Sequence, residues 1–118
     1  MAEWVFDRNG EAQIIWDGDC FRSAAGKVIG WIHGNGAYAL SGRHVACFDG
    51  GVLYDTNNFV IGFRAGARGL LPSRPVLGRL PDSMPGFEDK PDRPGLARVI
   101  GRPGFSGWSP IRLARFFR

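Results

Sequence analysis

The sequence predicts an all-β fold: a closed, four-fold pseudo-symmetric ring of short β-hairpins that carries an extended Pro/Gly-rich tail. Three observations predict it. Glycines recur at fixed places in four consecutive blocks of sixteen residues, 7–22, 23–38, 39–54 and 55–70. Short β-type runs fill the space between those glycines. All eight prolines lie from Pro72 to Pro110, so the repeats end at a sharp boundary. With 18 glycines and 8 prolines in 118 residues, long helices are excluded, because both residue types interrupt a helix. Apolar residues at 44% and aromatics at 13% are enough for a packed core and exclude full disorder.

Each block reads as two strands and two turns. Its fourth position is Gly10, Gly26, Gly42 and then Asn58; its twelfth is Gly18, Gly34, Gly50 and Gly66. Asn is the residue besides glycine that best tolerates a positive φ, so Asn58 meets the same demand. In chain order the strand-like runs are 4–6, 12–16, 20–21, 28–32, 37–40, 44–48, 52–54 and 59–63. Within the long strand of each block, the seventh and ninth positions (Gln13/Ile15, Ile29/Trp31, Val45/Cys47, Ile61/Phe63) are mostly apolar. A two-residue period places them on one face. The eighth position between them is Ile14, Gly30, Ala46 and Gly62. Small residues there point to close approach of backbones around an axis. The last block lacks its second strand, and Trp4-Val5-Phe6 occupies the matching register ahead of the first. The first strand is therefore expected to pair with the last block, which removes exposed sheet edges.

The stretch GRHVACFDGGVLYDTNNFVIGF (42–63), with GKVIGWIHGNGAYAL (26–40) before it, resembles the 4-fold β-flower family of bacterial proteins. The resemblance covers about residues 3–66. It implies a small four-fold pseudo-symmetric β domain, followed in many members by a Pro/Gly/Arg-rich tail. It carries no catalytic residue set. Ala46-Cys47 stands where Gly30-Trp31 would suggest Gly-Trp, which alters the local packing.

The domain boundary falls at 71/72: a four-repeat β domain over 1–71 and a basic tail over 72–118. The first part holds six basic and seven acidic side chains, the second nine basic and four acidic. Any attraction to an anionic partner therefore belongs to the tail. The tail repeats a Pro-Gly-apolar element at Pro85-Gly86-Phe87, Pro94-Gly95-Leu96 and Pro103-Gly104-Phe105, a turn and polyproline II signal. Its apolar content predicts that it lies across an apolar surface, with Phe105, Trp108, Phe116 and Phe117 as anchors. Ser109 and Pro110 suit the N-cap and first position of a short terminal helix. Its arginines and paired phenylalanines would serve a partner groove or peripheral membrane contact.

Chemistry-bearing motifs are few. The eleventh block position holds Asp17, His33, Asp49 and Ala65. On a ring the first three could ligate a divalent metal, but each precedes a twelfth-position glycine and reads more simply as a turn residue. Asp7-Arg8-Asn9-Gly10 and Asp55-Thr56-Asn57-Asn58 read as Asx turns. Tyr38 and Tyr54 share a block position with Phe6 and Arg22 and read as core or rim packing. Arg43-His44 reads as exposed. Cys20 and Cys47 fit no metal spacing; one bridge is possible, and two free thiols are the simpler reading. No catalytic residue and no cofactor is expected. No run approaches the ~18 apolar residues of a membrane span. The N-terminus lacks a signal-peptide pattern, so a cytoplasmic location is the expectation, with specialised secretion compatible.

A ring of this size buries only ~60% of its unfolded surface, so its tail or a second copy should complete the core. The functional expectation is a non-enzymatic interaction or assembly module, its tail docked on its own ring or on a neighbouring subunit of a homo-oligomer. The alternatives are nucleic-acid or anionic-surface binding through the basic tail, and a small effector or enzyme with a metal on the rim.

Overall fold

The computed structural model describes residues 2–69, 71–81, 84–97 and 107–117. Eight strands follow one another: β1 (Ala2–Phe6), β2 (Ala12–Asp17), β3 (Cys20–Ser23), β4 (Val28–His33), β5 (Gly36–Ala39), β6 (His44–Asp49), β7 (Val52–Asp55) and β8 (Val60–Arg64). Each is antiparallel to the next. β1 also pairs with β8, through Val5↔Arg64 and Phe6↔Phe63. The sheet is thus a closed barrel in sequence order, with no free strand edge among the eight.

Two kinds of turn alternate around the barrel, one at each glycine landmark. The twelfth-position turns are two-residue hairpin loops: Gly18-Asp19, Gly34-Asn35 and Gly50-Gly51. Gly18 and Gly34 take φ of 66° and 59°, the sign that a type II′ turn requires at its first central residue. Gly50 and Gly51 are both positive, as in type I′. Gly66 differs. It lies in a turn, but its φ is outside the left-handed region, because no eighth-strand partner follows it. There the chain folds back, and the Arg68 and Gly69 amides donate to the Gly50 carbonyl at 2.7 and 3.0 Å.

The fourth-position turns are four copies of one longer loop. The amides of Gly10, Gly26, Gly42 and Asn58 donate to the carbonyls of Asp7, Ser23, Ala39 and Asp55 at 2.9–3.0 Å. All four take positive φ, from 66° at Asn58 to 91° at Gly42. Asp7 Oδ1 accepts the amides of Asn9 and Glu11, and Asp55 Oδ1 those of Asn57 and Phe59. Ser23 Oγ accepts the amides of Ala25 and Lys27 in the same way.

A β-bulge repeats at the same place in every block. The register slips between Val5/Phe6, Phe21/Arg22, Ala37/Tyr38 and Leu53/Tyr54, which leaves Gln13, Ile29, Val45 and Ile61 as the extra residues. This corrects the two-residue period read from sequence. A bulge residue breaks the alternation, so the seventh and ninth positions part company. Ile29, Val45 and Ile61 join the central cluster, while Ile15, Trp31 and Phe63 pack in the two outer ones.

The central cluster draws on all eight strands. Val5, Phe21, Ala37 and Leu53, each sixteen residues from the next, are fully buried there with Ile14 and Ala46. The small eighth-position residues leave room for the C-terminus. A Cβ on Gly62 would lie 2.7 Å from Leu113 Cδ2, and one on Gly30 would lie 2.8 Å from the Phe117 ring. Leu113, 2% exposed, is a full member of this cluster. Replacing Leu113 by Ala is expected to cost about 2–5 kcal/mol, read as a fall in denaturant midpoint at constant slope. A loss below about 1 kcal/mol would show that the C-terminus is not part of the core.

The terminal helix is shorter than expected. Leu113–Arg115 form a single 3₁₀ turn behind an extended Arg112 that provides no side-chain cap. Ser109 does not cap it, because its hydroxyl is engaged elsewhere: it donates to Asp55 Oδ2 at 2.8 Å and accepts the Ile111 amide. His44, expected at the surface, is buried with its ring against Tyr38 at 5.5 Å. Cys20 and Cys47 are both buried and are not bridged to each other.

Candidate functional site

The fourth-position turns are where the ring meets its tail. Gly10, Gly26, Gly42 and Asn58 are all buried, whereas Gly18 and Gly34 at the other landmark are exposed. The covering groups are three successive pieces of the tail. The carbonyls of Val76, Gly86 and Gly95 lie so close to Gly10, Gly26 and Gly42 that a Cβ there would sit 2.1–2.2 Å from the oxygen. Two residues on, the amides of Gly78, Glu88 and Ala97 donate to the carbonyls of Gly10, Gly26 and Gly42 at 2.8, 3.3 and 2.9 Å. Each piece begins with a proline, Pro75, Pro85 or Pro94, that is less exposed than its neighbours. The tail is therefore a strap that follows the ring in its own chain direction, one contact per repeat. In the fourth repeat the strap bridges Val60 in parallel through Trp108: the Val60 amide donates to the Gly107 carbonyl and the Ser109 amide to that of Val60.

Side chains fix the second contact most firmly. Arg22 is 3% exposed and makes an ion pair with Asp17 at 2.8 Å. Its Nη1 donates at 2.8 Å to the carbonyls of both Gly26 on the ring and Glu88 on the strap, and its guanidinium lies 4.4 Å from the Phe87 ring centre. Glu88 reciprocates by accepting the Val28 amide at 2.9 Å. Such buried charged bonds are stronger than neutral ones. Nearby, Lys90 pairs with Asp19, which holds that carboxyl below the usual range and raises the ammonium. The Asp19 side chain is 57% exposed, so solvent screens the pair. Lys90→Ala is expected to change stability by at most about 1 kcal/mol. A carboxyl depressed by folding adds stability above its unfolded pKa of about 3.9, and loses it as pH falls through the folded value. The variant and parent should therefore converge in thermal scans as pH falls through the lowered Asp19 value.

Among the expected anchors, Trp108 packs on Phe63 with ring centres 6.2 Å apart, and its Nε1 donates to Ser73 Oγ. Phe117 meets Phe21 at 5.3 Å and Phe116 at 5.1 Å. Phe105 lies outside the described residues. Beside this closure, a polar cleft of about 420 Å³ opens between the first turn and residues 108–114, with Asp7, Glu11, Arg8 and Arg112 in its walls.

The rim residues do not assemble as a metal centre. Asp17, His33 and Asp49 end β2, β4 and β6 ahead of their hairpin loops. Asp17 faces Arg22, and His33 and Asp49 are exposed. Among the described residues no three His, Cys, Asp or Glu side chains converge on one point. Sequence reasoning missed Arg22, Glu88 and Leu113. Arg22 did carry a signal, as the one charge at a position that is otherwise Phe6, Tyr38 and Tyr54.

No helix among the described residues is long and apolar enough to cross a membrane. No curated protein and no solved structure matches the chain. A family model described as 4-fold beta flower protein matches residues 3–117, well beyond the 3–66 resemblance read from sequence, and so takes in the strap as well as the ring. A repeated barrel of this kind, matched over nearly its whole length, belongs to the 4-fold β-flower family.

Proposed function

We propose that this chain is a non-enzymatic protein-interaction module in which the 72–118 strap docks on its own 1–71 ring and presents an outer surface to a protein partner. The observation that carries this reading is the repeated strap contact at Gly10, Gly26 and Gly42, which closes the molecule on itself. Support for a partner comes from the strap: Val76 is 91% exposed, and Leu77, Leu80 and Met84 are exposed in the residues that follow it. Apolar side chains grouped on a surface favour protein contact. Two cysteines that do not bridge each other suit a reducing compartment, in keeping with a cytoplasmic location.

Light scattering on the full chain and on a 1–71 truncation tests the reading. The full chain is expected to be monodisperse. The truncation should self-associate or precipitate through the uncovered central cluster. A truncation that stays soluble, monomeric and as stable as the parent would overturn the proposal. Nucleic-acid binding is less well supported, since Lys90 pairs with Asp19 and Arg74 donates to the Ala67 carbonyl, which turns those strap cations toward the ring.

A further inference from the structure

The four-fold repeat supplies its own internal comparison. The sixth and ninth block positions flank the repeated bulge, and in three blocks they pack in the two outer clusters. In three blocks both are apolar: Ala12 with Ile15, Val28 with Trp31, and Val60 with Phe63. In the third block alone they are His44 and Cys47. The bulge at Val45 turns both side chains to one side of β6, and His44 Nε2 lies 3.8 Å from Cys47 Sγ. A general base and a nucleophile thus replace a pair that packing alone fills with hydrocarbon.

The second cysteine sharpens the contrast. Cys20 is fully buried, with its thiol directed at the Asp17 carbonyl at 3.6 Å and near the Asp17 carboxylate. Burial raises its pKa, which disfavours the thiolate. Cys47 retains 8% exposure, against none for Cys20, and its neighbour is an imidazole.

We infer that His44 and Cys47 form a thiol–imidazole pair at which a small hydroperoxide oxidises Cys47 to a sulfenic acid. His44 Nε2 takes the thiol proton, and the thiolate sulfur attacks one peroxide oxygen. The S–O bond forms as the O–O bond breaks. The leaving hydroxide, or the alkoxide of an organic hydroperoxide, receives the proton held on His44 and departs as water or alcohol. The sulfur loses two electrons and the peroxide gains them; one thiol then condenses with the sulfenic acid to a mixed disulfide and water, and a second thiol releases Cys47 by disulfide exchange. Among the described residues, titratable groups packed against the pair include Tyr38 on β5, whose ring packs on His44, and Tyr54 on β7, opposite Cys47 in the register.

Full-length protein treated with hydrogen peroxide, in the presence of a sulfenic-acid trap, is read by peptide mass mapping at both cysteines. Cys47 should be trapped at least tenfold faster than Cys20 at pH 7. His44→Gln should reduce the Cys47 rate at least tenfold and leave the Cys20 rate unchanged. Equal trapping at the two cysteines, or a His44→Gln rate equal to the parent's, would overturn the inference. If His44→Gln does not fold, the parent's pH profile decides. An internal base predicts less than a tenfold rise from pH 6 to pH 8, whereas a rise of about a hundredfold, as for an unassisted thiol below its pKa, would refute it.

Discussion

Gly26→Ala is expected to destabilise the protein by about 2–4 kcal/mol, while Gly18→Ala costs only about 1 kcal/mol. Both residues have positive φ, 89° and 66°. An alanine in that region costs roughly 1–2 kcal/mol wherever it sits. The surroundings separate the two. Nothing lies within 4 Å of a Cβ on Gly18, but a Cβ on Gly26 would sit 2.1 Å from the Gly86 carbonyl oxygen. That contact is backbone and cannot be relieved by a rotamer change. The strap would lift from the second turn and release the bonds from Glu88 N to Gly26 O and from Val28 N to Glu88 Oε1, each worth about 1 kcal/mol net. For a domain of this size, thermal scans should show Gly26→Ala melting roughly 5–10 °C below Gly18→Ala. Equal melting temperatures would mean that the strap contributes nothing at this turn.

Arg22→Met is expected to cost about 3 kcal/mol and to free the middle of the strap. Methionine replaces the aliphatic stem, so packing is largely kept. The guanidinium's bonds to Gly26 O and Glu88 O and its ion pair with Asp17 are lost. Removing one member of a buried pair generally costs 3–5 kcal/mol. Here Asp17 retains 20% exposure and can regain water, which lowers the figure. Two measurements check it. The denaturant midpoint should fall, and chymotrypsin should cut after Phe87 faster than in the parent. Unchanged cleavage alongside a fallen midpoint would assign Arg22 to the ring alone.

Much of the ring is legible in the sequence because its turns need rare backbone geometry. The fourth-position residues must be Gly or Asn to hold positive φ, and this signal survives even at Asn58, whose φ is 66°. Closure is equally legible, since Trp4-Val5-Phe6 matches the register of an absent strand and β1 does pair with β8. The bulges are not legible. A bulge adds one residue without a composition of its own here: Gln13, Ile29, Val45 and Ile61 look like ordinary strand residues. Reading a strict two-residue period therefore places Ile29 and Trp31 on one face, when the extra residue sends them to different clusters.

The site followed the same division. Trp108, Phe116 and Phe117 stand out in the strap by their size, and large aromatics in a proline-rich segment seek apolar cover. Leu113 does not stand out, because its burial depends on the space left by Gly62 across the barrel. Glu88 reads as a surface acid, and only the fold brings Val28 N to its carboxylate.

By itself the chain's order of residues determined the sixteen-residue repeat, its turns and its closure, because these depend on local φ preferences and on strand periodicity. The tertiary structure alone decided that the glycines of one landmark lie beneath a strap, that Arg22 joins ring to strap, and that His44 lies beside Cys47. Those outcomes arise from contacts between segments far apart in sequence, and from a bulge that redirects side chains with no mark of its own in the chain.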